Sequence, residues 1–301
     1  MNTKQLSYVL TLAQQGSFSK AAEALGISQP SLSQYIKKIE KEIGLELFCR
    51  TNTNLRLTDA GRVYLDTGRK ILSLEHQMEA EFSDLAASRS GSVIVGAAPY
   101  RAAGMMPMIA RRYQELHPGM HLIVREGTTA ELTEGMERGE YDLCLTLLPV
   151  DSNIFNWEPI MQEELILVVP GEHPPFPAVE LPDRRWPAID AQLLDGERMV
   201  MLTEHQFMQQ QLMNTVRTYR IQVRPAVIVK SLQAQIEMVR QGVGAALMPS
   251  GIERFCTPSE VTLYSFVQPL PRRTVAVMWR KDSRLSKAML ELKDLMKSMP
   301  W

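Results

Sequence analysis

Side chains that could contact nucleic acid are concentrated in a short stretch near the N-terminus. The stretch contains Gln29, Pro30, Ser31, Ser33, Gln34, Lys37 and Lys38. Amide groups can pair with the edges of bases, hydroxyl groups can reach bases or phosphates, and ammonium groups can neutralise phosphates. Each residue taken alone is more commonly part of a solvent-exposed helix face. The set predicts a DNA contact only if the chain presents its members together on one helix.

A second group of side chains could bind a small molecule. It consists of Pro99, Tyr100, Arg101, Thr128, Thr129, Thr203, His205, Gln206 and Phe207. These residues lie after three predicted strands, close to the start of the helix that follows each strand, where open α/β sheets bind their ligands. Arg101 could bind a carboxylate ligand in bidentate fashion.

Several members of this second group have a simpler interpretation. Thr128 can be only the N-cap of the helix that follows it. Phe207 can belong to the core, and His205 can be merely exposed. Arg101 can form a surface salt bridge, which contributes little to stability. The sequence leaves these alternatives open.

Three short helices are predicted around the first group. They end near residue 15, extend over residues 20–25 and extend over residues 30–43. Ser19 is predicted to cap the second helix, and Ser28 or Gln29 to cap the third, with Pro30 in its first turn. A turn at Gly26 joins these two helices. Apolar residues of the third helix face inward and its polar residues face outward, which describes a helix-turn-helix.

Residues 47–57 predict a two-stranded hairpin, or wing, beside the third helix. Arg50, Thr51 and Thr53 near its tip would contact the DNA backbone or the minor groove.

Residues 58–88 predict one long helix with a single apolar seam. The seam consists of Ile71, Leu74, Met78, Phe82 and Leu85. A helix packed on its own domain could show the same spacing. This segment has little neighbouring chain to pack against, so the seam favours pairing with the same helix of a second copy.

From residue 93 onwards, predicted strands alternate with predicted helices, one of which extends from Met106 to Leu116. This alternation predicts parallel or mixed sheets flanked by helices. Six of the 18 prolines fall within residues 170–187. They predict an irregular loop between two α/β units.

The N-terminal motifs closely resemble those of the LysR-type transcriptional regulators. They are Gly16-Ser17-Phe18-Ser19-Lys20-Ala21-Ala22, Leu25-Gly26-Ile27-Ser28-Gln29-Pro30-Ser31-Leu32-Ser33, Ile36-Lys37-Lys38-Ile39-Glu40, Leu45-Glu46-Leu47-Phe48 and Leu57-Thr58-Asp59-Ala60-Gly61. Looser matches follow at Met106-Pro107, His117-Pro118, Gly139-Glu140-Tyr141-Asp142-Leu143 and residues 239–249. The resemblance therefore covers essentially the whole chain.

The resemblance implies a winged helix-turn-helix over residues 1–57, a dimerisation helix over 58–90 and an α/β effector domain over 91–301. The effector domain would be similar to type II periplasmic binding proteins. Its first subdomain would span about 91–165 and 267–301, and its second about 166–266. A small-molecule effector of unknown identity would bind between them, in a pocket that the second group of residues lines by family position. No cofactor or metal is implied.

The resemblance also implies partners: double-stranded promoter DNA, RNA polymerase, and copies of the chain itself in a homodimer or homotetramer. Two positions depart from the family pattern. Many members of the family that this sequence resembles carry arginine at the position of Gln34 and basic residues near the position of Thr53. Fewer phosphate contacts, and a shallower dependence of DNA affinity on salt, are therefore expected.

Composition bounds these interpretations. The 301 residues correspond to about two domains. The net charge of −1 argues by itself against a nucleic-acid binder, but residues 1–62 carry +3 and the remainder −4. No apolar run is long enough to span a membrane, and no secretory signal is evident. Cys49, Cys144 and Cys256 are too dispersed for a disulfide framework or a zinc site, which fits a reducing cytoplasm.

An enzyme and an exported solute receptor are the competing interpretations. No GxSxG, HExxH or P-loop motif occurs, and the stretch Gly242-Val243-Gly244-Ala245 lacks the third glycine of a dinucleotide-binding loop. A receptor would need export, against which the helix-turn-helix and the missing signal argue. Cys49, beside the wing, could be redox-sensitive, whereas buried cysteines act as small apolar residues. The sequence predicts a non-enzymatic, cytoplasmic regulator.

Overall fold

The computed structural model describes residues 3–50, 55–85, 91–204 and 206–299. The helices are α1 (Thr3–Gln15), α2 (Phe18–Ala24), α3 (Gln29–Ile43), α4 (Asp59–Leu85), α5 (Pro99–Leu116), α6 (Thr129–Glu137), α7 (Phe207–Tyr219), α8 (Leu232–Arg240) and α9 (Lys287–Ser298). The strands are β1 (Phe48–Arg50), β2 (Leu55–Leu57), β3 (Gly91–Ala97), β4 (Met120–Glu126), β5 (Leu143–Leu147), β6 (Phe155–Glu163), β7 (Leu165–Pro170), β8 (Ala188–Ile189), β9 (Arg198–Leu202), β10 (Arg224–Val229), β11 (Ala246–Pro249), β12 (Val261–Phe266) and β13 (Arg273–Arg280).

Helices α1–α3 pack around one small apolar core that includes Val9, Leu12, Leu32 and Ile36. The sequence signals for α3 are confirmed: Ser28 caps the helix, Pro30 lies in its first turn, and the chain leaves it through a left-handed glycine. The predicted cap of α2 is wrong by two residues. Ser17, which has extended dihedral angles, precedes the helix, so Ser19 lies inside it.

The predicted wing is present as the antiparallel pair β1 and β2, with Cys49 opposite Arg56. A carboxylate of α3 fixes its position. Glu40 Oε1 accepts hydrogen bonds from the backbone N–H groups of Leu47 (2.8 Å) and Phe48 (3.2 Å). The base of the wing is therefore fixed to the third helix, and residues 51–54 at its tip lie outside the described residues.

Helix α4 begins after Thr58, whose hydroxyl oxygen accepts a hydrogen bond from Gly61 N at 2.9 Å. Several apolar side chains along the predicted seam are exposed in the monomer: Leu74 is 59% exposed, Met78 50% and Phe82 60%. Ile71 is half-buried. The long helix is confirmed as far as Leu85, and residues 86–90 lie outside the described part of the chain.

The rest of the chain forms two α/β units. In the first, the strand order is β4-β3-β5-β13-β6, with β3, β4 and β5 parallel and β13 antiparallel to its neighbours. Helices α5 and α9 cover one face and α6 the other. The prediction of parallel or mixed sheets flanked by helices is confirmed.

The second unit contains a four-stranded sheet in the order β11-β7-β12-β8 and the parallel pair β10-β9. A parallel bridge between Met199 and Ala245 connects the two. Helices α7 and α8 pack on two separate apolar clusters of this unit. The chain passes between the units twice, from β6 to β7 and from β12 to β13.

Strands β6, β8 and β12 are absent from the sequence-based prediction. Strand β6 contains Pro159, which argues against an interior strand because proline donates no hydrogen bond. The structure places β6 at the edge of the sheet, where proline is tolerated. Strand β8 has only two residues.

The start of α5 is the main correction to the predicted elements. The sequence predicts a helix from Met106, whereas α5 begins at Pro99, with extended Ala98 as its N-cap. Pro107 suggests a first turn but lies inside the helix, on its exposed side. Pro99–Arg101 therefore form the first turn of a helix rather than a loop. Among the residues described, no helix is long and apolar enough to cross a membrane.

Candidate functional site

The outward face of α3 presents most of the first group of residues. Gln29, Pro30, Ser31, Gln34, Lys37 and Lys38 are exposed, and Ser33 is half-buried. The opposite face buries Leu32, Ile36 and Ile39 against α1 and α2. Spacings of three and four place exposed residues 30 or 31, 34, and 37 or 38 on one stripe of the helix. The structure therefore brings amide, hydroxyl and ammonium groups together on one surface.

Cap geometry gives Ser31 a second role. Ser28 Oγ accepts a hydrogen bond from Ser31 N at 3.3 Å and lies 2.7 Å from Ser31 Oγ. These contacts hold the first turn of α3, whose N–H groups point outward with the positive end of the helix dipole. The first turn can therefore accept a phosphate as well as present Gln29.

The structure describes the predicted wing residues only in part. Arg50 pairs through its backbone with Leu55, and its side chain is outside the described set. Thr51 and Thr53 belong to residues 51–54, which are likewise not described. Contact between the wing and DNA stays a prediction.

In the first α/β unit, Thr128 and Thr129 lie at the carboxyl end of β4, both exposed. Thr128 is the N-cap of α6: its Oγ1 accepts a hydrogen bond from Glu131 N (3.3 Å), and its own N–H donates to Glu131 Oε2 (2.7 Å). This bond holds the pKa of the Glu131 carboxyl below its usual range. The N-cap interpretation of Thr128 is confirmed.

In the second unit, Gln206 joins the carboxyl ends of the parallel strands β9 and β10. Its Nε2 donates to Thr203 Oγ1 at 3.0 Å and to Lys230 O at 2.8 Å. Phe207 is half-buried and packs against the core, as its simpler interpretation predicts. His205 lies outside the described residues. Thr203 and Gln206 thus contact each other, whereas the contacts of Thr128 lie within its own helix cap.

Lys230 and Ser231 share this strand edge, although neither is among the predicted site residues. Ser231 caps α8 by accepting a hydrogen bond from Ala234 N at 3.1 Å. The rule that selects Thr203 also selects these two residues, since a strand ending at Val229 and a helix starting at Leu232 were both predictable.

Tyr100 and Arg101 are not where the sequence places them. Tyr100 is buried, and its ring centroid lies 5.8 Å from that of Phe255 in the second unit. Burial raises the pKa of its hydroxyl well above the ordinary value. Arg101 is 5% exposed, and its Nη2 lies 3.1 Å from Glu163 Oε2.

The prediction that Arg101 offers a free guanidinium to a carboxylate in an open pocket is therefore wrong, and so is the alternative of a surface salt bridge. Both assume a loop at residues 98–101. Because α5 begins at Pro99, the side chain of Arg101 leaves the first helical turn and is directed into the interior. Pro99 remains half-buried beside it.

The three cysteines lie in different elements: Cys49 in β1, Cys144 in β5 and Cys256 after the 3-10 segment Ser250–Phe255. Burial raises the pKa of the Cys144 thiol to about 12 and that of Cys256 to about 11. Within the described part of the chain, no group of three or more His, Cys, Asp or Glu residues is arranged to hold a metal ion.

Comparison with known proteins shows how these parts are related to others. Residues 3–62 match the bacterial regulatory helix-turn-helix protein of the lysR family, and residues 86–300 match the LysR substrate binding domain. The regulator YwbI of Bacillus subtilis, described as an HTH-type transcriptional regulator, is 30% identical over 305 aligned residues, covering 100% of this chain and 97% of the relative.

Solved structures agree with this relationship. A full-length OxyR variant from Pseudomonas aeruginosa is 26% identical, with a TM-score of 0.70 over 99% of this chain and 95% of the other. Full-length CbnR in complex with its target DNA is 19% identical, with a TM-score of 0.68 over 98% and 99% of the two chains, and supports the fold. Two family models that together span nearly the whole chain, joined by α4, lead to one assignment. The chain belongs to the LysR family of DNA-binding transcriptional regulators, with a helix-turn-helix DNA-binding part and an effector domain.

Proposed function

We propose that the chain binds promoter DNA as a dimer, with α3 of each copy in the major groove, and that a small-molecule effector bound between the two α/β units changes this binding. The observation that carries the proposal is the outward face of α3. Its amide and ammonium groups are exposed, while the other face is fixed to a packed three-helix core. A recognition helix needs this combination of accessible chemistry and rigid support.

The residues of α3 divide by chemistry into two roles. Gln29 and Gln34 have the amide geometry for bidentate pairing with adenine, and Ser31 and Ser33 reach bases or phosphates. Lys37 and Lys38, one turn further along, bind phosphates and set the register without reading sequence. Arg50, Thr51 and Thr53 extend the contact from the wing.

Dimerisation supplies the second half-site. Leu74, Met78 and Phe82 are exposed at successive turns of α4, and pairing of two such helices would bury them. Two DNA-binding parts held at a fixed spacing read two half-sites, which raises affinity through effective concentration. Pairing of dimers through the effector domains would give the tetramer.

The effector is proposed to lie between Thr128 and Thr129 of the first unit and Thr203, His205 and Gln206 of the second, with Pro99 and Phe207 at the edges. An effector that binds one relative arrangement of the units more tightly shifts the population towards it. That shift would alter the spacing of the DNA-binding parts and their contact with RNA polymerase. With Arg101 paired to Glu163, the sequence argument for a carboxylate effector no longer holds.

We further propose the division of the chain at residues 57, 90, 165 and 266 as set out above, and action in the cytoplasm, where promoter DNA is found. Members of the LysR family are transcriptional regulators and not enzymes.

Selection from a pool of random duplexes tests the proposal. The full chain should enrich one sequence with two related half-sites about one or two helical turns apart. Gel-shift titration of that duplex should show binding at least about a thousandfold tighter than binding to unrelated DNA. Enrichment of no sequence, or binding to all duplexes with similar affinity, would contradict sequence-specific regulation.

A further inference from the structure

Three charged side chains meet in the interior where the chain passes between the two α/β units. Glu163 ends β6 at the first crossing, Arg273 begins β13 at the second, and the two are opposite each other in the sheet. Glu163 Oε2 lies 3.1 Å from Arg101 Nη2 and 2.7 Å from Arg273 Nε. Arg101 and Arg273 are each 5% exposed. One buried carboxylate is therefore shared by two buried guanidinium groups.

This cluster carries one uncompensated positive charge. Guanidinium groups keep their proton in proteins, so Glu163 neutralises only one of the two. Glu164, the next acidic residue along the chain, faces Arg184 at 3.8 Å. A buried charge without a counter-charge is strongly disfavoured, and among the described residues no second carboxylate forms an ion pair with Arg101 or Arg273.

Three donor nitrogens of the cluster also lack a hydrogen-bond acceptor. Among the residues described, nothing accepts a hydrogen bond from Arg101 Nε, Arg273 Nη2 or Arg273 Nε, although Arg273 Nε forms an ion pair with Glu163 at 2.7 Å, and all three nitrogen atoms are buried. Buried polar atoms in native proteins are nearly always hydrogen-bonded, to protein, water or a bound ion. Of the two arginines, Arg101 lines a cavity, and its unpartnered Nε indicates a bound acceptor there.

A cavity adjoins the cluster on the side of Arg101. It is lined by Tyr100, Arg101, Gly104, Met105, Met161, Glu163, Gly251 and Arg254, and has a volume of about 20 Å³. That space holds one atom of the size of a water molecule and no organic molecule. The cavity depends on Gly251, because a Cβ atom there would lie 2.5 Å from the Tyr100 hydroxyl oxygen.

We propose that a single-atom monovalent anion, chloride under ordinary conditions, occupies this cavity and neutralises the cluster. It accepts hydrogen bonds from the Arg101 guanidinium and the Tyr100 hydroxyl. A water molecule would satisfy the donors but would leave the positive charge uncompensated. The positive end of the α5 dipole, where Arg101 lies, favours the anion further.

The position of the anion gives it a role in holding the two units together. Its cavity is formed by α5 and β6 of the first unit and by the segment Ser250–Phe255 of the second. At the rim, Arg254 Nη1 donates to Gly104 O at 3.1 Å, a contact between the same two units. Halide should therefore stabilise the relative arrangement of the units seen here.

Thermal unfolding of the full chain tests this at constant ionic strength, with sodium gluconate replaced stepwise by sodium chloride or sodium bromide. Both halides should raise the Tm with saturation, by about 2–4 °C at a tenfold excess over the Kd. Arg101→Gln should abolish the halide effect, because Glu163 and Arg273 then balance each other. Arg111→Gln, which removes an exposed arginine of the same helix, should retain it.

Crystals of the unaltered chain grown in bromide give a readout that does not depend on any variant. The proposal predicts an anomalous peak within hydrogen-bond distance of Arg101. It is contradicted by a water molecule at that position with no anomalous signal, or by equal Tm values in halide and gluconate for the unaltered chain. An equal halide effect in Arg101→Gln and Arg111→Gln would also contradict it.

Discussion

Arg69 of α4 lies 3.1 Å, through Nε, from Glu140 Oε1 of the first α/β unit. Both side chains are largely buried, and Arg138 contacts the same carboxylate oxygen at 2.9 Å. One turn along α4, Ser73 is buried beside Gly139. A Cβ atom added to Gly139 would lie 2.3 Å from the Ser73 hydroxyl oxygen. The DNA-binding end and the effector domain are thus joined by a specific polar contact as well as by the chain.

Breaking this contact should loosen α4 from the effector domain. In Arg69→Gln we expect faster amide exchange in residues 137–142, with little change in the Tm, because Glu140 stays paired with Arg138 and no buried charge is left without a partner. Arg62→Gln is the matched control, since Arg62 is exposed and pairs with Asp59 of its own helix at 3.3 Å. Equal exchange in both variants would show that the contact does not hold the two parts together.

The apolar seam of α4 should hold the dimer. Phe82→Glu places a charge where the partner helix would bury an aromatic ring, and we expect monomers at micromolar concentration in sedimentation analysis. Arg62→Glu introduces the same side chain on the opposite face of α4 and should leave the dimer intact. A dimer of unchanged stability in Phe82→Glu would place the main interface elsewhere.

Cys144 and Cys256 should not respond to peroxide, although an OxyR protein is among the structural relatives. The thiolate is the reactive form, and raised pKa values of about 12 for Cys144 and about 11 for Cys256 leave very little of it at neutral pH. Reactivity of both thiols should increase only as the pH rises towards these values. Mass spectrometry after micromolar peroxide at pH 7 should find both unmodified. A Cys49→Ser variant removes the third thiol, so any oxidation found in it must lie on Cys144 or Cys256. Rapid oxidation of Cys144 or Cys256 would contradict the prediction.

DNA affinity should depend weakly on salt for a dimer of this family. Gln34 and Thr53 stand where many relatives are basic, so fewer counterions are released on binding. Titrations between low and moderate salt should give a slope of log K against log salt well below that for about ten released ions. A slope of that size would show that phosphate contacts, rather than base contacts, dominate binding.

Local signals predicted the DNA-binding part well. The cap at Ser28, the first-turn proline and the apolar spacing of α3 all act within one helix, so neighbouring residues determine the outcome. The start of α5 does not follow from local signals, because Pro107 gives the same local signal as a true first-turn proline. Only the packing of the first turn decides between Pro99 and Pro107.

The burial of Arg101 and its pairing with Glu163 are not predictable from neighbouring residues. Glu163 is 62 residues away in sequence, and it lies on an edge strand whose Pro159 argues against a strand when the sequence is read alone. Arg273 reaches the same carboxylate only because β13 pairs with β6. Contacts set by sheet pairing over such separations leave no periodic pattern in the sequence, whereas the strand-end rule still located Thr203 and Gln206 correctly relative to each other.

The central claim is that α3 reads bases, and base-by-base substitution of the selected duplex tests it most directly. Binding of the unaltered chain, Gln34→Ala and Lys38→Ala is measured against every single-base variant. We predict that Gln34→Ala loses discrimination at one base pair per half-site, worth about 1–3 kcal/mol. Lys38→Ala should weaken all duplexes alike and lower the salt slope by about one for each phosphate that the ammonium group no longer neutralises. Unchanged base preference in Gln34→Ala, together with an unchanged salt slope in Lys38→Ala, would contradict the assignment of α3 as the recognition helix.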